Sequence, residues 1–283
     1  MSRSPFSNSG FEFKGITALV TGASSGIGEC FARQLAEQGA NLILVARSED
    51  KLRSLAAELK LTHNIEAHVF AADLGFHEAP RRLFDSVRQA GLQVDLLINN
   101  AGFGRYGYFE DATAEADDAM LDVNMGSLVA LTHLFLPDML RRKKGGILNV
   151  ASTAAFQPLP FLALYSATKS FVLSLSEALW GEYRNRGIRV LCLCPGNTQT
   201  EFHRVAGSEK KRVIYVARAE DVARYGLRVF QKGSRPTAVY GFFNWLLAQM
   251  SRFFPRRWTA FFTGFLFRPS AHFSKRREPQ QVA

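Results

Sequence analysis

Seven short apolar runs punctuate the chain, near 16–21, 41–46, 66–71, 94–99, 146–151, 188–194 and 237–240. Most are rich in Val, Ile and Leu and too short for a helix, which marks them as strands covered on both faces. Between them the apolar positions shift to helical spacing, as in Glu29–Gln38 before Gly39 and in Glu49–Leu59. This alternation predicts an α/β fold, a parallel doubly wound sheet of seven strands with helices on both faces. A chain of 283 residues accommodates that sheet as one domain over 14–240. Residues 1–13, with Ser, Pro, Asn and Gly, are expected to form a flexible arm.

The first strand runs into Gly22-Ala23-Ser24-Ser25-Gly26-Ile27-Gly28, and a helix follows at once. In that context each glycine has a task. Gly22 makes a tight turn, Gly26 lets the backbone approach a pyrophosphate, and Gly28 brings helix and strand together. The free N–H groups of the helix start then face the phosphates. An ordinary turn with flexible glycines is the bland alternative. The second strand ends at Ala46, where NAD sites carry an acid for the ribose 2′-hydroxyl. Arg47 and Ser48 come next, and Arg47 can fork onto a 2′-phosphate that Ser24 or Ser48 also reaches. NADP(H) is therefore expected rather than NAD(H), unless Arg47 is only a solvated residue at the start of a helix.

Tyr165 and Lys169 are four residues apart and share one helical face. A free tyrosine titrates near pH 10, and bringing it to neutrality needs about 4 kcal/mol of differential stabilisation. A neighbouring ammonium works in that direction. Ser152, at the end of the fifth strand, can donate to the same substrate oxygen; on its own it could equally be a helix cap.

Taken together, these motifs resemble the short-chain dehydrogenase/reductase family over about residues 14–240. Thr21 to Gly28 matches the family's T-G-x-x-x-G-x-G, and Asn99-Asn100-Ala101-Gly102 its N-N-A-G. The resemblance implies a Rossmann-type domain and a catalytic set of Asn124, Ser152, Tyr165 and Lys169. It implies that Asp73 and Leu74 meet the adenine, and that Asn100, Ala101 and Gly102 line the adenine ribose side. Pro195, Gly196, Thr198 and Thr200 would flank the nicotinamide, Lys169 would hold the ribose hydroxyls, and Asn124 would hold a proton-carrying water. Family members form dimers or tetramers, so a homo-oligomer is expected.

Past Tyr240 the pattern changes to an aromatic, basic extension over 241–283. Phe242, Phe243, Trp245, Leu246, Leu247, Met250, Phe253 and Phe254 are apolar, while Asn244, Ala248, Ser251 and Arg252 share another helical face. Trp258, Phe261, Phe262, Phe265 and Leu266 then repeat at helical spacing. Arg252, Arg256, Arg257, Arg268, Lys275, Arg276 and Arg277 face one acid, Glu278. Each piece is shorter than the roughly 20 residues that span a bilayer. Interfacial membrane contact, a lid over the site and a dimer face are the three readings.

Lys and Arg number 35 against 25 Asp and Glu, a net charge of +10. No nucleic-acid fold accompanies that charge, so anionic cofactor and lipid are the expected partners. Cys30, Cys192 and Cys194 have no framework or metal spacing, and no metal is expected. Met1–Phe13 lacks the apolar core of a secretory leader; a cytoplasmic protein, peripherally membrane-associated, is the expectation. The stretches holding Phe103, Tyr106, Phe156, Leu159, Phe161, Leu162 and Phe202 would build an apolar substrate pocket without charged clusters. The expected activity is oxidoreduction of a lipophilic carbonyl or alcohol with Tyr165 as acid and base. The alternative is a dinucleotide-binding sensor or scaffold at a membrane.

Overall fold

The structure is a computed structural model that describes residues 10–200, 206, 216–251 and 253–269. All seven expected strands form one parallel sheet. In chain order they are β1 (Thr17–Thr21), β2 (Asn41–Ala46), β3 (Ala67–Ala71), β4 (Leu96–Asn99), β5 (Gly145–Val150), β6 (Ile188–Cys194) and, after two short strands, β9 (Thr237–Val239). Their spatial order is β3-β2-β1-β4-β5-β6-β9. Chain order thus reverses between β1 and β4, and the crevice beyond their carboxyl ends is where such sheets bind ligands.

Residues alternate strictly between the two faces of the sheet. Ala18 and Val20 of β1 and Leu42 and Leu44 of β2 enter one core, with α1 (Gly26–Glu37), α2 (Glu49–His63) and α7 (Ala219–Lys232). Leu19, Ile43 and Val45 enter the other, under α3 (Ala79–Gln89) and α5 (Ser127–Arg142). Ala114–Arg142, continuous from α4 (Ala114–Leu121) through α5, is apolar enough by composition to cross a membrane. Its residues Leu131, Phe135 and Met139 are buried in the second core.

Two features depart from expectation. The arm forecast through residue 13 does not hold for 10–13. Phe13 is 2% exposed, and Phe11 donates its N–H to Gln231 O at 3.0 Å and sets its ring edge-on to Phe230. One buried ring and one half-buried ring outweigh the polar composition around them. The unforeseen β7 (Thr198–Gln199) and β8 (Ala217–Arg218) pair as a two-residue parallel ladder beside the carboxyl ends of the sheet. Phe202, Arg252, Lys275, Arg276 and Arg277 lie outside the described residues.

After β9 come α8 (Phe242–Met250) and α9 (Arg256–Phe267). Ala248 of α8 is buried among Cys192, Cys194 and Val172.

Candidate active site

The loops after β1, β2, β4, β5 and β6 meet around a cleft of about 990 Å³. At its base Thr21 and Asn100 close the switch point. Thr21 Oγ1 accepts from the N–H groups of Asn100 and Ala101 at 2.9 and 3.0 Å, and Asn100 Nδ2 donates to Thr21 O at 2.9 Å. The glycine loop fits tightly over that base. A Cβ on Gly28 would stand 2.1 Å from Gly22 O and 2.5 Å from Asn100 Nδ2. Gly22 and Gly26 hold φ of +65° and +59°, where a side chain strains the backbone. Ser25, which caps α1, makes no side-chain bond to the helix, so the first N–H groups are left for an anion. These observations fit a dinucleotide.

Gly22, Ser24, Ser25, Gly26, Ile27, Arg47, Ser48, Asp73, Leu74, Asn100, Ala101, Gly102, Pro195, Gly196, Thr198 and Thr200 line the cleft as expected, whereas Gly28 does not: it is buried behind the wall, where α1 packs on the glycine turn. Thr198 Oγ1 donates to Gly196 O at 3.0 Å, and the Thr200 side chain lies over Gly26. Lys51, one turn past Arg47 in α2, adds a second cation that sequence reasoning missed. Its place in the first turn of α2, just after Arg47 and Ser48, was the available signal.

Ser152, Tyr165 and Lys169 come together in the same cleft. The 21-residue α6 (Ala163–Tyr183) carries Tyr165 and Lys169 on its buried face. Ser152 hydrogen-bonds the Tyr165 hydroxyl and also caps the next turn, accepting from Ala154 N at 3.1 Å. The capping reading of Ser152 holds, and its hydroxyl also faces Tyr165.

The protonation states differ from expectation. Burial pushes the Tyr165 phenol up to about 12, although the Ser152 hydrogen bond pulls it down. Burial also drops Lys169 to about 8. The ammonium donates to Val150 O at 3.0 Å and stands 5.8 Å from the tyrosine ring centre. Desolvation outweighs the Ser152 hydrogen bond, so the phenol is neutral at physiological pH.

Asn124 lies behind the cleft wall, 1% exposed, in a π turn joining α4 to α5. Its Nδ2 donates to Phe103 O at 2.9 Å and Thr168 Oγ1 at 3.0 Å, and its Oδ1 accepts from Phe103 N at 3.0 Å. Both amide protons are committed to protein, so the side chain pins the loop after β4 to α6. One Oδ1 lone pair is left for the expected water. Gly102 permits this closeness, since its Cβ would meet Asn124 Oδ1 at 3.0 Å and Lys169 Nζ at 3.1 Å.

Lys169 gives a stability prediction. Its folded pKa of about 8 lies below the ordinary 10.5, so the fold binds fewer protons there than the unfolded chain between those values. Stability therefore rises with pH across that window, and below pH 8 the buried ammonium costs about 3 kcal/mol. Lys169→Met removes that cost and one hydrogen bond worth about 1 kcal/mol. The cofactor-free variant should melt higher than wild type at pH 7, with the gain shrinking toward pH 10. A lower melting temperature at pH 7 would contradict the account.

The substrate side is mostly apolar: Phe103, Tyr106, Leu159 and Leu162 line it as expected. Phe156 and Phe161 do not. Phe156 packs behind the wall, and Phe161 turns its ring onto Tyr108. Glu115, Asp118 and Asp122, from α4 and the turn after it, also edge the cleft, outside the stretches from which the apolar pocket was forecast. Phe267, from the end of α9, was missed; it lines the cleft, and the Tyr106 hydroxyl donates to its carbonyl at 2.7 Å.

A family model described as short chain dehydrogenase matches residues 16–211. The chain belongs to the short-chain dehydrogenase family. It is 38% identical over 199 residues to the very-long-chain 3-oxoacyl-CoA reductase of Anas platyrhynchos, covering 68% of this chain and 62% of that one. It is 33% identical over 215 residues to hydroxysteroid dehydrogenase-like protein 1 of Gallus gallus, covering 74% of this chain and 64% of the relative. The chain thus spans less than two thirds of these relatives' length. Among solved structures, a short-chain dehydrogenase from Sphingobium yanoikuyae in complex with NADPH superposes with a TM-score of 0.76. It is 28% identical, with 94% of this chain and 98% of that chain covered. A bulky-bulky ketone specific alcohol dehydrogenase from Comamonas testosteroni gives 0.72 at 26% identity, covering 94% and 97%. The chain shares the Rossmann-like α/β fold of these structures, with its seven-stranded parallel sheet.

Proposed function

We propose that the protein is an NADP(H)-dependent reductase of lipophilic, long-chain carbonyls. The observation that carries this reading is one cleft lined both by the glycine loop and by Leu159, Leu162 and Phe267, with a buried Tyr165 hydroxyl bonded to Ser152. Reduced nicotinamide, when bound, supplies the hydride. The first N–H groups of α1 would hold the pyrophosphate, Arg47 and Lys51 the 2′-phosphate, and Asp73 the adenine. Lys169 would hold the ribose hydroxyls. Ser152 would donate to the carbonyl oxygen, and Tyr165 would pass its proton to that oxygen as charge develops there. A phenol kept neutral by burial is in the right state to act as an acid, so reduction is the favoured direction. The 3-oxoacyl relatives support an acyl-chain substrate, and the apolar wall has room for its tail.

NADPH oxidation should be measured against 3-oxoacyl thioesters and ketones of increasing chain length. The reading requires kcat/KM to rise with chain length and polar sugars to be inert; turnover confined to short polar carbonyls would refute it. Arg47→Asp should lower the NADPH/NADH ratio of kcat/KM by about 10- to 100-fold, since a 2′-phosphate would then meet a like charge instead of a fork. An unchanged ratio would remove Arg47 from the cofactor site. The same reading places the enzyme at the cytoplasmic surface of a membrane, as a homo-oligomer.

A further inference from the structure

Helix α9 is amphipathic the wrong way round. A surface helix ordinarily turns its apolar stripe inward. Here Trp258, Phe261, Phe262, Phe265 and Leu266 face outward, with Phe265 78% and Leu266 75% exposed. The small and polar side faces the protein. Thr263 Oγ1 donates to Pro158 O at 2.9 Å, and Gly264 lies so close that its Cβ would meet Pro160 Cγ at 3.3 Å. Helix α8 repeats the arrangement: Asn244 packs over Gly196 and Ala248 is buried, while Phe242, Phe243 and Leu247 are exposed. At about 150–250 Å² per aromatic side chain, the two helices and their junction present on the order of 1,500 Å² of apolar surface. Ordinary monomers leave patches of only a few hundred Å².

We propose that this surface lies in the headgroup layer of an anionic bilayer, and that α9 is the wall through which lipid-borne substrate enters the cleft. This rests on the reductase reading above. The charge pattern selects the occupant. Arg256 and Arg257 open α9, where the helix dipole disfavours cations, and no acid stands in that first turn. Among the described residues neither arginine has an ion-pair partner, and Arg268 follows the other end of the helix. Anionic headgroups supply the missing charge to both ends. A second copy docked about a two-fold axis would instead bring basic ends together. At about 1.5 Å per residue, twelve residues are too short to cross the roughly 30 Å core, so the helix lies along the interface. Its inner end delivers Phe267 to the cluster around Tyr165, with Leu159 and Leu162 beside it. A tail sliding along these side chains need not cross water.

The test uses the full chain with vesicles of phosphatidylcholine, alone or with phosphatidylglycerol, comparing wild type with Phe261→Ser/Phe265→Ser. These rings are exposed, so the fold and the cleft should be unaffected. Wild type should sediment with the anionic vesicles and not with pure phosphatidylcholine, and the variant should bind at least 10-fold more weakly. Turnover of a short, water-soluble ketone should be unchanged in the variant, while turnover of a bilayer-dissolved long-chain ketone should fall at least 10-fold. Equal vesicle binding by both proteins, or equal rates on the bilayer-borne ketone, would overturn the inference and leave the reductase reading intact. Loss of a dimer on substitution, with no vesicle binding by wild type, would overturn it in favour of a second copy. Vesicle binding without turnover of either ketone would refute the reductase reading and the delivery role with it.

Discussion

Tyr165→Phe should lower kcat for carbonyl reduction by about 10³-fold, within the range general acid catalysis contributes, while NADPH affinity changes less than about three-fold. The substitution removes one oxygen from a buried phenol and leaves the ring in its cluster with Met120, Ala154 and Leu159. The partner left behind, Ser152, keeps its bond from Ala154 N and so remains aimed into the cleft. Loss of rate without loss of cofactor is the signature of a proton donor rather than a packing residue, and it is read by steady-state rates beside NADPH fluorescence titration. A variant retaining near wild-type kcat would show that another group delivers the proton.

Gly28→Ala should weaken NADPH binding by at least about 100-fold and lower the melting temperature. One methyl group is added, but it lands 2.1 Å from Gly22 O and 2.5 Å from Asn100 Nδ2. Both neighbours belong to the bonded network at the switch point, where Asn100 also donates to Thr21 O. Relief therefore means pulling α1 away from β1, and with it the N–H groups meant for the pyrophosphate. Overpacking a close contact costs about 1–3 kcal/mol. Calorimetric titration and thermal unfolding check both effects; wild-type affinity would mean that the loop does not cradle phosphate.

The sheet was legible because strands buried on both faces leave uninterrupted apolar runs, and Leu42 to Ala46 is such a run. The glycine loop and the Ser152, Tyr165 and Lys169 set were legible because local spacing carries their chemistry. What depended on tertiary docking was not. Phe267 reaches the cleft only because Thr263 and Gly264 seat α9 on the Pro158–Pro160 loop, and nothing in the local pattern reports that. The pattern of α9 left membrane contact, lid and dimer face open, because an apolar stripe does not say which way it turns. Lys169 was expected to depress the phenol, yet its ammonium donates to Val150 O, a partner visible only once β5 and α6 are packed. The polar composition of residues 1–13 hid Phe11 and Phe13; Phe13 is core and Phe11 packs against it beside Phe230. A ladder of two residues, as in β7 and β8, carries no periodicity to read.

Incubation with a long-chain 3-oxoacyl thioester and NADPH deuterated at the transferable position, followed by mass analysis of the product, tests the central claim most directly. The account predicts an alcohol carrying one deuterium on the former carbonyl carbon, formed by wild type and about 10³-fold more slowly by Tyr165→Phe. An undeuterated product, or no product from any lipophilic carbonyl while NADPH stays bound, would contradict it.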